Sequence, residues 1–237
     1  MFFFFKGRRD VPPVDIHSHL LPAIDDGSRS VEESQGMLEG LGELGFQKLV
    51  TTPHIHPKFP NTSDSIHAAH QILKEQSGLQ NLNLEAAAEY FVDENFRELI
   101  KKNQILSFGE SKFVLIESPF LNKPIFFEQV LHDLKNAGFS PVIAHPERYQ
   151  FLKNPIDWCQ SIRSSNVYFQ VSYGSFVGYY GKRSVKVAFD LLQQDLIDFL
   201  GTDLHRSSQL SYVKRSLGNK RIRDLIGRDR LLNAQLI

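Results

Sequence analysis

Seven short runs rich in β-branched and apolar residues recur along the chain, and stretches patterned for helix lie between them. The runs cover 14–17, 48–52, 84–89, 113–117, 141–144, 167–171 and 198–200, with helical patterns at 31–44, 63–76, 94–102, 125–136, 155–164 and 184–194. Such alternation specifies an α/β fold with a parallel sheet, because parallel neighbours need a crossover long enough to be a helix. A length of 237 residues suits one domain. No fingerprint marks a switch point of an open sheet, so closure into a (β/α) barrel is expected; the pattern alone leaves seven or eight strands open. "GLGELG" at 40–45 fits G-x-G-x-x-G, but it closes a helix and precedes a strand, the reverse of a dinucleotide loop. Ser30 is placed as an N-cap with Glu32 and Glu33 in the first turn, and Gly45 and Gly138 stand where C-terminal caps belong.

The polar residues follow this frame. Nearly every run ends in a side chain able to bind a metal ion. The first ends in His17 and His19, with Asp25 and Asp26 in the next loop, and the second gives His54 and His56 in "TTPHIHP". The third and fourth end in Glu89 and Glu117, the fifth in His145, and the seventh in Asp203 and His205. In a barrel the C-terminal strand ends converge on one mouth. Residues i and i+2 of a strand point the same way, so His17 with His19, and Asp203 with His205, can share an ion. Closely spaced carboxylates need a cation to neutralise them. Imidazoles and carboxylates without thiolate suit Mn, Fe, Zn or Co. His54 is preferred to His56 because it follows the run and Pro53 directly. His67, His70 and His132 sit on helices and are expected at the surface.

Composition narrows the chemistry further. Lys plus Arg (27) balance Asp plus Glu (27), which argues against a nucleic-acid binder. The single cysteine, Cys159, precludes an intramolecular disulfide and fits a reducing, cytoplasmic compartment. Arg163 lies four positions after it in a helical stretch, so the C-x5-R loop of cysteine phosphatases is missing, as is a G-x-S-x-G elbow. The opening "MFFFFKGRRD" is too short for a signal sequence. Its Phe side chains are expected to pack on the body or on a second subunit, or to give weak membrane proximity with Lys6, Arg8 and Arg9.

"DIHSHLLPAIDDGS", "TTPHIHP", "EYFVDE", "VLIESPF", "VIAHPERYQFL", "SFVGYYGK" and "FLGTDLHR" together resemble the polymerase-and-histidinol-phosphatase (PHP) superfamily. Within it they resemble the metal-dependent bacterial tyrosine-protein phosphatases of capsule and exopolysaccharide systems, from about residue 14 to 206. The resemblance implies a distorted seven-stranded (β/α) barrel of the PHP type over 14–237, preceded by an extension at 1–13. It implies three divalent ions, commonly manganese. His17, His19, Glu89 and Asp203 would hold one; Glu89 would bridge to a second, completed by Glu117 and His145; Asp26, His54 and His205 would hold the third. Asp26 rather than Asp25 matches the family's ligand position. Arg148 and Arg206 match basic positions expected to grip phosphate. The extra N-terminal residues, Ser118 in "ESPF" and the segment "QVSYGSF" depart from the pattern without removing a ligand.

The implied activity is hydrolysis of phosphotyrosine on a protein, the natural partner being the tail of a bacterial tyrosine kinase of polysaccharide synthesis. Hydroxide generated from a metal-activated water would attack phosphorus in line, with no phosphoenzyme. Tyr173, Phe176, Tyr179 and Tyr180 either stack on the substrate ring or pack the rim. The alternatives are a histidinol-phosphate or other small-molecule phosphatase, and a catalytically silent metal protein that docks a kinase.

Overall fold

The computed structural model describes residues 11–76, 83–163, 166–228 and 230–237, so the Phe tract lies outside the described residues. One parallel sheet joins β1 (Val14–Asp15), β2 (Lys48–Thr51) and β5 (Asn83–Ala86) in the order β1-β2-β5. The other contains β3 (His54–His56), β4 (Phe59–Pro60), β6 (Glu89–Phe91), β7 (Phe113–Glu117), β8 (Ser140–Ala144), β9 (Tyr168–Ser172) and β10 (Phe199–Gly201). Its order is β10-β9-β8-β7-β6-β3-β4, parallel except for the β3–β4 hairpin.

Two strands of the smaller sheet, β2 and β5, continue into β3 and β6 of the larger. Pro53 has no N–H to donate and interrupts the second run between β2 and β3. The run at 84–89 divides likewise into β5 and β6 around Ala87 and Ala88. Pairing continues across both breaks: Ala87 N–H donates to the Thr51 carbonyl at 2.9 Å and Glu89 N–H to that of Pro53 at 3.1 Å. The expected third strand is therefore two, and the β3–β4 hairpin is an addition. The break places His54 and Glu89 opposite each other in the β3–β6 register.

The first and last strands meet as well. Ser18 and Leu204 form a parallel bridge, and His19 N–H donates to the Leu204 carbonyl at 2.9 Å. Lower down, buried Asp15 accepts from the Thr202 N–H (2.8 Å) and hydroxyl (2.7 Å). Buried Asn233 spans the remaining gap. Its Nδ2 donates to the carbonyls of Val14 (2.9 Å) and Leu200 (2.8 Å), and its Oδ1 accepts from Leu200 N–H (3.0 Å).

The strands feed α1 (Val31–Leu44), α2 (Ser63–Gln76), α3 (Glu94–Lys101), α4 (Phe127–Asn136), α5 (Pro155–Arg163), the one-turn α6 (Tyr173–Phe176) and α7 (Gly181–Gln193). Helix α4 starts two residues later than its sequence pattern and α7 three earlier. Ser30 caps α1, its hydroxyl accepting from Glu33 N–H at 3.2 Å, and Gly45 ends it in the left-handed region. "GLGELG" is thus the last turns of α1. A Cβ at Gly40 would lie 2.3 Å from Leu210 of α8 (Leu210–Leu217), so Gly40 sets a close helix contact. Helices α8 and α9 (Lys220–Ile226) follow the end of the repeating pattern, which does not announce them.

Each central strand serves two cores by its two-residue period. In β7, Val114 and Ile116 face the larger core under the helices, while Phe113 and Leu115 join a smaller one with Val14, Ile16, Val50, Val142 and Phe199. All five β7 residues are buried, as expected for a strand covered on both faces. Phe113 packs edge-on against Tyr168 and Phe199, with centroids 5.2 and 5.0 Å away. Above this small core the strand ends are polar.

Candidate metal centre

His17 and His19, spaced two apart after β1, direct their Nε2 atoms at one point, 3.3 Å from each other. Glu89, at the start of β6, brings Oε2 to 3.3 Å from His17 Nε2, 3.5 Å from His19 Nε2 and 3.1 Å from His54 Nδ1. Asp203 Oδ1 lies 3.5 Å from His17 Nε2 and 3.7 Å from His19 Nε2. His145 Nε2 sits 3.0 Å from Glu89 Oε1 and 3.6 Å from Glu117 Oε1. Asp26 Oδ1 is 3.5 Å from both His54 Nε2 and His205 Nε2. All nine expected ligands therefore share one end of the sheet. Three groups offer ligand atoms mutually within 4.8 Å: His17, His19 and Glu89; His54, Glu89 and Glu117; and His19, Asp26, His54 and His205. His54 presents one ring nitrogen to each of the last two groups, where the resemblance gave it only to one.

The chemistry of this donor set fits a cation. Glu89 Oε2 and His54 Nδ1 are buried and lack a hydrogen-bond partner among the described residues, although nitrogens surround the oxygen at contact distance. Buried polar atoms without partners are costly, and an ion among them would remove that cost. His145 and Asp203 take left-handed φ values of 33° and 52°. Such conformations cost about 1–3 kcal/mol each and are characteristic of functional positions.

Outer residues fix the rings. Gln170 Oε1 accepts from His17 Nδ1 at 2.9 Å and from His145 N–H at 3.3 Å, leaving the His17 Nε2 lone pair toward the cluster. Gly201 makes room: a Cβ there would fall 2.7 Å from His17 Cβ and 2.8 Å from Gln170 Nε2. Asp25 does for His19 what Gln170 does for His17. Its Oδ2 lies 2.7 Å from His19 Nδ1 and accepts from His54 N–H at 3.0 Å, while Oδ1 accepts from Gly27 N–H at 2.8 Å. The Asp203 carbonyl lies 3.0 Å from His205 Nδ1. Gln170 escapes sequence reading because it sits inside the sixth run, where a glutamine reads as a strand residue. Its signal was a polar side chain in an otherwise apolar strand.

Burial and neighbours set the charges. Burial opposes a charged His17, but the Glu89 and Asp203 carboxylates outweigh it and raise its pKa; for His19, Asp25 and Glu89 do the same. Burial pushes His54 and His145 down to about 4, which keeps these imidazoles neutral and able to donate a lone pair. Burial would raise Glu89, but the surrounding imidazoles hold it well below the usual carboxylate range. Glu117 is raised well above it, by burial and by the Glu89 charge. Without a cation the two glutamates do not both ionise readily.

Arg148 closes one side. Its Nη1 donates to Asp203 Oδ2 at 2.6 Å, and its guanidinium lies between the Phe120 and Tyr180 rings, 4.7 and 4.2 Å from their centroids. The Tyr180 hydroxyl donates to the same Oδ2 at 2.6 Å. Asp203 thus turns one oxygen to the histidines and the other to Arg148 and Tyr180. Arg206 is differently engaged. Its Nη1 donates to the carbonyls of Gly27 and His205 (2.7 Å to the latter), and it is absent from the lining of the cavity over the cluster. That cavity, about 250 Å³, is rimmed by His56, Lys58 and Phe59 and reaches Arg148. Of the aromatic residues weighed for stacking, Tyr173 and Phe176 are buried in the core and Tyr179 is exposed. Only Tyr180 reaches the site. His67 and His132 are exposed, whereas His70 is half-buried, with Nε2 3.0 Å from the Leu84 carbonyl.

The fold and the pooled candidate ligands define a class: an α/β protein with a cation-competent centre formed at or after the ends of β1, β7, β8 and β10 and at the breaks between β2 and β3 and between β5 and β6. The chain belongs to the CpsB/CapC family of capsular polysaccharide synthesis, which matches residues 13–227. It is 29% identical to the tyrosine-protein phosphatase YwqE of Bacillus subtilis over 195 residues, 81% of this chain and 77% of YwqE. It is 28% identical to the tyrosine-protein phosphatase CpsB of Streptococcus pneumoniae over 214 residues, 86% of this chain and 87% of CpsB. Its structure superposes with a TM-score of 0.78 on a chain from the crystal structures of those two proteins, described as metal-dependent tyrosine phosphatases; identity is 25%, covering 94% of each chain. A lactonase from Listeria monocytogenes shares the fold alone, with a TM-score of 0.53 and 9% identity over 96% of this chain and 94% of that one.

Proposed function

We propose that the protein is a metal-dependent protein-tyrosine phosphatase acting on a bacterial tyrosine kinase of capsule or exopolysaccharide synthesis in the cytoplasm. The observation that carries this reading is Glu89 Oε2, a buried carboxylate oxygen without a hydrogen bond, faced by three imidazoles. On this reading the two sheets, with the Ser18–Leu204 bridge, are one distorted barrel of seven staves. His17, His19, Glu89 and Asp203 would hold one divalent ion, Glu89, Glu117 and His145 a second, and Asp26, His54 and His205 a third, with manganese the expected metal. When bound, the ions supply a nucleophile from water at neutral pH and a positive clamp for phosphate oxygens.

The chain's own residues do the rest. Arg148, held between two aromatic rings, keeps donors beyond Nη1 for the equatorial phosphate oxygens, where charge grows in the transition state. Lys58 at the rim adds attraction for the anion. A tyrosine leaving group, with a pKa of about 10, needs little protonation to depart. Arg206 holds the loop carrying Asp26 through the Gly27 carbonyl.

The test pairs metal analysis with turnover. Chelator-stripped protein is reloaded with Mn and assayed on p-nitrophenyl phosphate, phosphotyrosine peptides and histidinol phosphate. Peptide turnover restored by metal, lost with the metal in His17→Ala and kept at reduced rate by metal-loaded Arg148→Ala, is expected. A strong preference for histidinol phosphate, or loaded protein that cleaves nothing, overturns the reading.

A further inference from the structure

A second cavity, about 560 Å³, adjoins the metal cluster and is lined by Phe120, Arg148, Gln150, Tyr180, Arg183 and Ser184. Phe120 and Arg148 line both cavities, so the two are neighbours across one stacked guanidinium. No acidic residue lines the larger one. Arg183 uses Nη2 to donate to the Leu152 carbonyl at 2.6 Å, which fixes its head beside the opening. It has no acidic partner among the described residues, in contrast to Arg148, Arg163 and Arg230, which each pair with an aspartate. A fixed, exposed guanidinium with spare donors, beside a phosphate site and facing no carboxylate, is suited to an anionic group on the same ligand.

We propose that this cavity is a specificity subsite for a second anionic group, a carboxylate or phosphate, on a residue flanking the phosphotyrosine, with Arg183 its recognition residue. The inference rests on the phosphatase reading for its substrate. The shared Arg148 links the two anions, since it lines both cavities and bonds Asp203 of the cluster through Nη1. An extended peptide advances about 3.3–3.6 Å per residue, so the second anion falls within the nearest few positions. The geometry selects peptides carrying acidic or phosphorylated neighbours over neutral ones.

The experiment uses metal-loaded protein and phosphotyrosine peptides of one neutral sequence, with a single Glu, phosphoserine or Gln placed in turn at the three positions on either side. Steady-state kinetics and fluorescence anisotropy are read on the same set. At one or more positions Glu should improve KM and binding roughly three- to ten-fold over Gln, and phosphoserine at least as much. The gain is expected in KM rather than kcat. In Arg183→Gln it should collapse to less than two-fold, while Arg183→Lys keeps part of it. A melting curve and the metal content of each variant establish that it is folded and loaded. Wild-type protein indifferent to all three residues at every position, or a preference that survives in Arg183→Gln, overturns the inference. Absence of turnover on every peptide and on p-nitrophenyl phosphate would instead defeat the phosphatase reading, and anisotropy still decides the subsite.

Discussion

Replacing Gln170 by Leu should weaken metal binding without touching a ligand. In the native arrangement Oε1 holds the proton on His17 Nδ1, so Nε2 is free to coordinate. Leucine offers no acceptor. The imidazole proton can then reside on Nε2, the atom that faces Glu89 and Asp203. Loss of such an outer partner typically lowers metal affinity about 10- to 100-fold, equivalent to roughly 1.4–2.7 kcal/mol. A second effect adds to this. The buried His145 N–H, also served by Oε1, loses its acceptor, which costs about 1–3 kcal/mol in stability. Competition of the protein against a metal-indicator dye gives affinity, and urea unfolding in chelator gives the apo stability. Gln170→Glu keeps an acceptor in place and should stay closer to wild type in affinity than Gln170→Leu. Affinity of Gln170→Leu within two-fold of wild type would refute the argument that this side chain sets the His17 tautomer.

Asn233→Ala removes three buried hydrogen bonds, one to Val14 of β1 and two to Leu200 of β10, and strands the Leu200 N–H; a loss of about 3 kcal/mol is expected in urea unfolding, and a loss below 1 kcal/mol would show that the strands close without it. Burial raises the Glu147 carboxyl from its usual value to about 7, although it accepts from Ser175 Oγ (2.7 Å) and Ser172 N–H (3.1 Å). Its neutral form is thus the stable one, and that stability is present below pH 4.5 and lost as pH rises through 7. The apo stability of Glu147→Gln relative to wild type should therefore grow between pH 5 and 8, by about 3 kcal/mol at most, and a pH-independent difference would contradict the assignment. Cys159 is fully buried and its thiol is pushed far up by burial, so iodoacetamide should leave the native protein unlabelled and its turnover unchanged over hours; rapid inactivation would return a thiolate to the mechanism.

Apart from Asp26, which lies in the loop after the first run, the candidate ligands were legible because each sits at or just past the end of an apolar run, where a polar residue able to bind a metal has no structural reason to be. The β7 run was legible for the same reason, being apolar on both faces and ending in Glu117. The broken staves were harder. Pro53 gives a reason to end β2, but nothing in "HIHPKFP" states that the chain resumes pairing as β3 and turns back as β4. Only the partner strand, through Glu89 N–H and the Pro53 carbonyl, settles that. Gln170, Asp25 and Tyr180 were illegible as supports because each acts through a residue more than five positions away in sequence. Arg206 illustrates the converse: a motif fixes its position but not what its guanidinium touches.

The Asn233 bridge has a consequence for how the chain matures. Its three bonds join backbone near residue 14 to backbone near residue 200, and Lys48 Nζ donates to the Leu236 carbonyl at 3.0 Å. A nascent chain still lacking 232–236 can form the Ser18–Leu204 and Asp15–Thr202 contacts, but it lacks these further ties between the first and last strands. The ribosome therefore delivers all nine expected ligands before the last of these ties can form. If the site takes up metal as proposed, loading at fixed spacing is expected only once residues 232–236 have been made, and metal is not needed to bring the strands to that point.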